Sequence, residues 1–371
     1  MKLTAKSKNT NELWNAFDND DIFKFRKLIK DGYDSTHPNS KGCSLIEHIL
    51  WDGRNLDKNI KFFDELINNN INLKPIIKQK FLLSIAFSNK DMDSIHYVKK
   101  LLEFNTGINS FGVGLNRYGS SLGFDPVIFY AISKFHNSGW RNLFNILLEK
   151  NPDLEYCDRR GDTVINHSIH YHDMENNYIY SLIDKLIKHG ADPTQRNYSD
   201  GFNSLHKLCI SYETKYPMYK KLISLFLKHG CDINSLTPYC ETPLILAVSS
   251  YNFHIAKVLI KNGADIDIAD QQGKTAIFHS TLIAENTYIF DLLFENNAKL
   301  DHISNNGNNI LHFLLNADIY KKHFYEKILG KNPELLFMKN KDGKTPIDLA
   351  KQIKDEKIKT TLVSLMENIT C

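Results

Sequence analysis

Long apolar runs are missing from this sequence. No window approaches the ~18 uninterrupted apolar residues of a membrane span, and Met1 to Lys8 has no apolar centre of the kind a secretory leader carries. A charge excess is missing too: 46 basic and 43 acidic residues leave a net charge of +3, with no strong field towards nucleic acid or anionic lipid. The six cysteines, Cys43, Cys157, Cys209, Cys231, Cys240 and Cys371, include no Cys-x-x-Cys pair. That scatter reads as reduced thiols in a cytoplasmic setting rather than a disulfide framework or a zinc module. The remaining composition, 42% hydrophobic and 24% charged, is that of a folded chain.

What is present is repetition. His189-Gly190-Ala191-Asp192, His229-Gly230-Cys231-Asp232 and Asn262-Gly263-Ala264-Asp265 each follow a stretch of the Leu-Ile-x-x-Leu-Ile-Lys type, and Gly230 and Gly263 lie 33 residues apart. The clearest unit opens with Thr242-Pro243-Leu244-Ile245-Leu246-Ala247. Thr242 predicts a hydroxyl cap and Pro243 the first helical position, where no N–H is needed. Leu244, Ala247 and Val248 predict one apolar face, and Ile255, Val258 and Leu259 the stripe of a second helix ending at Asn262-Gly263. Asp265 to Gly273 is too short and polar for a third helix and reads as a hairpin-like connection.

Two short helices and a projecting turn, opened by Thr-Pro-Leu and closed by Gly-Ala-Asp, resemble the ankyrin repeat. Partial matches to its opening phrase recur at Asp125-Pro126, Thr163-Val164-Ile165-Asn166, Asn203-Ser204-Leu205-His206, Thr275-Ala276-Ile277-Phe278, Asn309-Ile310-Leu311-His312 and Thr345-Pro346-Ile347-Asp348. A glycine two residues before each opener sets the register: Gly123, Gly161, Gly201, Gly273, Gly307 and Gly343, with Cys240 standing in once. The intervals are 38, 40, 39, 33, 34 and 36 residues. The resemblance implies an all-α ankyrin-repeat solenoid of nine to ten helix-turn-helix units. The expected organisation is one array over 1–371: degenerate repeats at 1–122, well-defined repeats at 123–340, and a capping repeat and tail at 341–371. It also assigns His206 and His312 to hydrogen bonds tying units together.

A solenoid offers surface rather than a pocket, so binding is expected and chemistry is not. The resemblance implies a partner protein gripped by first helices and finger tips. The tip residues are Tyr156, Arg159, Arg160, Arg196, Tyr198, Tyr239, Gln271 and Gln272, types favoured at protein interfaces. Asp158 and Asp200 beside the basic tips argue against a nucleic-acid role. No metal, cofactor or catalytic residue is assigned, and the free protein is expected to be a monomer. Three inserts lengthen units: Trp51 to Leu56, His170 to Tyr178 and Tyr212 to Tyr219. The Gly-rich segment 106–123 lacks the Lys-Ser or Lys-Thr of a phosphate loop and is expected to form a long finger, with Phe111, Arg117 and Tyr118 as its contact residues.

Three functional classes stay open. Asn-, Lys- and Ile-rich divergent ankyrin proteins of this size (38 Asn here) resemble effectors that intracellular bacteria deliver into host cytoplasm. They also occur in pox-type viruses and protists. The polar tail Lys357 to Cys371 is compatible with a secretion signal. An enzyme would draw on the irregular N-terminal third, where Cys43 and His48 share one helix. A third class is a neutralising protein for a toxin.

Overall fold

A computed structural model describes residues 11–38, 42–51, 55–69, 94–103, 111–115, 121–135, 138–171, 178–211, 216–282 and 287–368. Helix pairs follow one another along the chain. The first are Asn11–Asp18 with Ile22–Lys30, Leu45–Trp51 with Leu56–Asn68, and Ser94–Glu103, before which residues 70–93 lie outside the described residues. Then come Val127–Ser133 with Ser138–Glu149, Val164–Tyr171 with Tyr178–Lys188, and Ser204–Ile210 with Tyr216–Lys228. The series ends with Pro243–Ser249 and Phe253–Lys261, Ala276–Thr281 and Tyr288–Glu295, Ile310–Asn316 and Lys322–Lys331, a 3-10 turn Pro333–Phe337, and Pro346–Ala350 with Glu356–Asn368. That is the expected all-α repeat architecture. None of these helices is long and apolar enough to cross a membrane.

Local chemistry sets the ends of each pair. The Thr242 hydroxyl accepts the Ile245 N–H at 3.1 Å, and Pro243 sits at the first helical position. Asn203 and Asn309 cap their helices in the same way, through the N–H groups of His206 and His312. Gly190, Gly230 and Gly263 close three second helices at φ of 103°, 90° and 88°, a left-handed turn that glycine enters without a Cβ penalty.

The chain divides into two compact units, one formed by 1–171 with 181–191, the other by 172–180 with 192–371. In the first, Phe17, Phe25, Phe62, Phe63 and Tyr97 are buried aromatic residues, with Phe62 edge-on to both Phe17 and Phe25. In the second, Leu244, Ala247, Val248, Ile255, Val258 and Leu259 are all 2% exposed or less. The stripes read from periodicity are therefore the ones that are buried.

The structure corrects one expectation, the register role of Gly123, and adds detail to two others. The Gly-rich segment contains a two-stranded antiparallel hairpin, Phe111–Leu115 with Ser121–Pro126, pairing Phe111 with Pro126 and Gly112 with Asp125. Gly123 lies within its second strand rather than at a finger turn, unlike Gly161, Gly201, Gly273, Gly307 and Gly343, which take φ of 71–77°. Half of the Tyr212 to Tyr219 insert is helix: Met218 and Tyr219 lie on Tyr216–Lys228 and are buried. Period-3.6 packing claims those two side chains before any partner can. Residues 52–54, 172–177 and 212–215 of the inserts lie outside the described residues.

Two substitutions test this packing. Leu259→Ala removes a fully buried side chain and is expected to cost about 2–5 kcal/mol in equilibrium urea unfolding. Cys240 holds φ of 58° where the other fingers have glycine, so Cys240→Gly is expected to raise stability by up to about 1 kcal/mol, read as a higher urea midpoint.

Candidate protein-binding surface

The projecting turns share one backbone design. In the Thr237 finger the Thr237 N–H bonds the Glu241 carbonyl and the Cys240 N–H bonds back to the Thr237 carbonyl, both at 2.9 Å. The Asp158, Asp270, Ser304 and Asn340 fingers repeat both bonds. The finger at Asn197 is one residue longer, its N–H reaching the Phe202 carbonyl at 2.8 Å. A side-chain oxygen on the first residue gathers the tip's N–H groups: Asp270 Oδ1 accepts from Gln272 and Lys274, and Asn340 Oδ1 from Asp342 and Lys344. This is why Asp, Asn, Thr and Ser recur there.

In the second unit, neighbouring fingers are bonded to one another. Gln271 N–H donates to the Tyr239 carbonyl, Asn305 N–H to the Gln272 carbonyl (both 2.9 Å), and Lys341 N–H to the Asn306 carbonyl at 3.2 Å. A Cβ at Gly307 would meet Lys341 N at 2.8 Å, and one at Gly201 the Pro238 ring at 2.7 Å. These glycines are thus required twice, for their φ and for the approach of the next finger.

The histidine slot also ties repeats together. His206 Nε2 donates to the Ser235 carbonyl at 2.9 Å, and its Nδ1 accepts the Asn203 N–H. His312 Nε2 lies 2.9 Å from the Lys344 carbonyl. Burial pushes His206 down to about 4, against the opposing pull of the Ser235 carbonyl, and burial also lowers His312. Both rings are spent on structure. At the following position of two other repeats, His279 Nε2 bonds Asp270 Oδ2 at 2.9 Å and His167 Nδ1 bonds Asp158 Oδ2 at 2.8 Å, fastening each finger to its own first helix. Burial raises Asp158, but the hydrogen bonds from His167, Asp162 and Arg160 outweigh it and hold the carboxyl below its ordinary value.

One arrangement escaped the sequence reading. Ser133 Oγ lies 3.1 Å from His167 Nε2, completing a Ser–His–Asp chain with Asp158. Its connectivity is that of a hydrolase triad. Its surroundings are not. Ser133 donates to the Phe129 carbonyl at 2.9 Å and ends its helix. A helix C-terminus presents carbonyl oxygens, whereas an oxyanion needs N–H donors. Cys43 fares no better as a nucleophile: burial and then Glu47 push its thiol up to about 11, and its Sγ faces the Ser44 carbonyl. His48 packs against Trp14 and Phe17. His167, His170, His172, Asp173 and Glu175 lie close together in sequence, and of these His172, Asp173 and Glu175 lie outside the described residues.

The tip residues named from sequence divide by unit. In the second unit, Tyr198 and Tyr239 are 70% and 64% exposed, with Leu236 and Ile303 also open on finger stems. Gln271 and Gln272 sit at a tip. Arg196 is on the stem, its guanidinium donating to the Gly201 and Leu236 carbonyls at 2.9 and 2.7 Å, so it braces two fingers. In the first unit, Tyr156 and Arg159 are exposed, and Arg160 meets the His170 ring. Phe111 is on the first hairpin strand, while Arg117 and Tyr118 lie outside the described residues.

The histidine network makes a pH prediction. A histidine held near 4 stays neutral in the fold but takes up a proton when unfolded, near 6.5. Its stabilisation is complete above about pH 6.5 and is lost as pH falls towards 4, by an amount on the order of 3 kcal/mol. Urea unfolding at pH 7, 5.5 and 4.5 is expected to show wild type and His206→Gln converging as pH falls. A constant difference between them would refute the assignment.

Comparisons with known proteins agree with this geometry. A family model described as Ankyrin repeats (3 copies) matches residues 169–270 and 214–304. A putative ankyrin repeat protein of Acanthamoeba polyphaga mimivirus is 23% identical over 60% of this chain and 26% of its own length. An ankyrin repeat protein of vaccinia virus (strain Western Reserve) is 31% identical over 28% of this chain and 20% of its own. Phosphocholine transferase AnkX of Legionella pneumophila is 28% identical over 33% of this chain and 13% of its own. The chain thus spans about a quarter or less of each of these relatives. Among solved structures, the ankyrin repeat domain of Bcl-3 superposes with a TM-score of 0.52 at 16% identity, covering 66% of this chain and 98% of that domain. Residues 169–304 are therefore ankyrin repeats, a protein-interaction module, and the chain shares the ankyrin-repeat fold.

Proposed function

We propose that this chain is a non-catalytic scaffold that grips a partner protein with its finger tips and first helices, and that it works in host cytoplasm as a delivered effector. The observation that carries the binding reading is the pairing of a fixed backbone with an open side chain at the tips. Tyr239 is pinned through its carbonyl by Gln271 N–H, yet its ring is 64% exposed. A tip already ordered loses little freedom on association, and tyrosine is a favoured anchor. The host-directed part rests on the relatives in mimivirus, vaccinia virus and Legionella pneumophila. The proposal includes a single array across 1–371, supported by the unbroken spacing of the openers, and a protein rather than nucleic-acid partner, supported by the near-balanced charge.

Affinity capture from host-cell lysate tests the reading. A Tyr198→Ala/Tyr239→Ala/Gln272→Ala variant is expected to lose its captured partner about tenfold or more while its far-UV circular dichroism stays unchanged. A Tyr156→Ala/Arg159→Ala/Arg160→Ala variant measures the first unit separately. Undiminished capture by both variants removes the tip assignment.

A further inference from the structure

Between the Asp270 and Ser304 fingers and the Ile310–Asn316 helix lies a groove of about 640 Å³. Six of its nine lining residues carry side-chain amides. Some of them are spent: Asn305 Nδ2 donates to the Gln271 carbonyl at 2.8 Å, and Asn308 Oδ1 accepts from Asn340 at 2.9 Å. Others are open. The side-chain amides of Gln271, Gln272, Asn306 and Asn316 make no hydrogen bond among the described residues, and all four residues are exposed. Lys274 is the one ionisable residue of the lining, and its Nζ sits 4.8 Å over the Phe313 ring, which holds the ammonium at the groove wall.

Resting on the protein-binding reading, we propose that this groove takes an extended polypeptide segment of the partner, recognised through its backbone and through one carboxylate at Lys274. The lining selects that occupant by elimination of unmet groups. A carboxamide presents both a donor and an acceptor, the same pair that a peptide unit presents. An extended segment carries unpaired N–H and C=O groups that lose water on docking, and each must be met again. A helical partner has already paired its interior backbone groups and offers the amides side chains alone. A nucleic-acid strand needs several cations along its phosphates, and the lining supplies one. The absence of carboxylates from the wall leaves Lys274 unopposed there and favours an acidic side chain beside the bound backbone. Finger stacking supplies the rigidity: the bonds that order Gln271, Gln272 and Asn305 are made before any ligand arrives.

The test selects phage-displayed random decapeptides on the full chain and measures the winners by fluorescence polarisation. Selected peptides are expected to share an Asp or Glu at one fixed position and to weaken about tenfold against Lys274→Glu. Asn306→Ala/Asn316→Ala is expected to weaken them by about five- to tenfold, as is N-methylation of a backbone amide beside the acidic residue. Asn306→Ala/Asn316→Ala is expected to keep the wild-type melting temperature, since neither side-chain amide is bonded within the fold, and Lys274→Glu to keep the wild-type far-UV circular dichroism. Failure to enrich any peptide, or equal affinity for wild type, both variants and the N-methylated peptide, overturns the groove assignment. That failure is separable from failure of the scaffold reading, because lysate capture through Tyr198 and Tyr239 is an independent measurement.

Discussion

Each helix pair leaves an apolar face open, and only the next pair can close it. A seven-residue first helix such as Pro243–Ser249 is too short to be stable alone. Leu244, Ile245, Ala247 and Val248 nevertheless reach 1% exposure or less, because helices before and after it cover them. Burying a side chain of this size contributes roughly 1.5–3 kcal/mol, so stability within a unit grows by neighbour contacts and not by closure of one central core. The same dependence makes a single buried substitution felt beyond its own repeat.

Polar groups then fix the register that apolar contact leaves loose. Apolar packing is non-directional. The His206 bond to the Ser235 carbonyl, and the Asn252 amide bonds to the Cys209 and Ser211 carbonyls at 2.7 and 3.0 Å, are directional and join one repeat to its neighbour. Fingers add a second set of such bonds at Gln271, Asn305 and Lys341. A finger bonded on both sides is a rigid support for the residues at its tip.

Function in such a chain lies on the surface, and residues of one type serve opposite ends. His206 and His312 are buried struts, whereas in an enzyme a histidine poised between partners would be a first suspect. The Ser133–His167–Asp158 chain makes the point most directly: its distances suit catalysis, and its helix-end carbonyls do not. Arg196 looks like a contact residue by type yet braces two fingers, while the neighbouring Tyr198 projects.

The sequence alone determined the repeat, its helix caps and its buried stripes, because each depends on contacts a few residues apart: Thr242 with Ile245, Leu244 with Val248, Gly263 after its own helix. It also placed Cys240 in a glycine slot. Only the tertiary structure decided which tips are open and which are committed, since Arg196 meets the Leu236 carbonyl of another finger and Gln271 a carbonyl 32 residues away. The Ser133–His167 contact and the amide groove beneath the 271–272 tip belong to the same class. Each depends on distance through space between segments whose local patterns carry no record of one another.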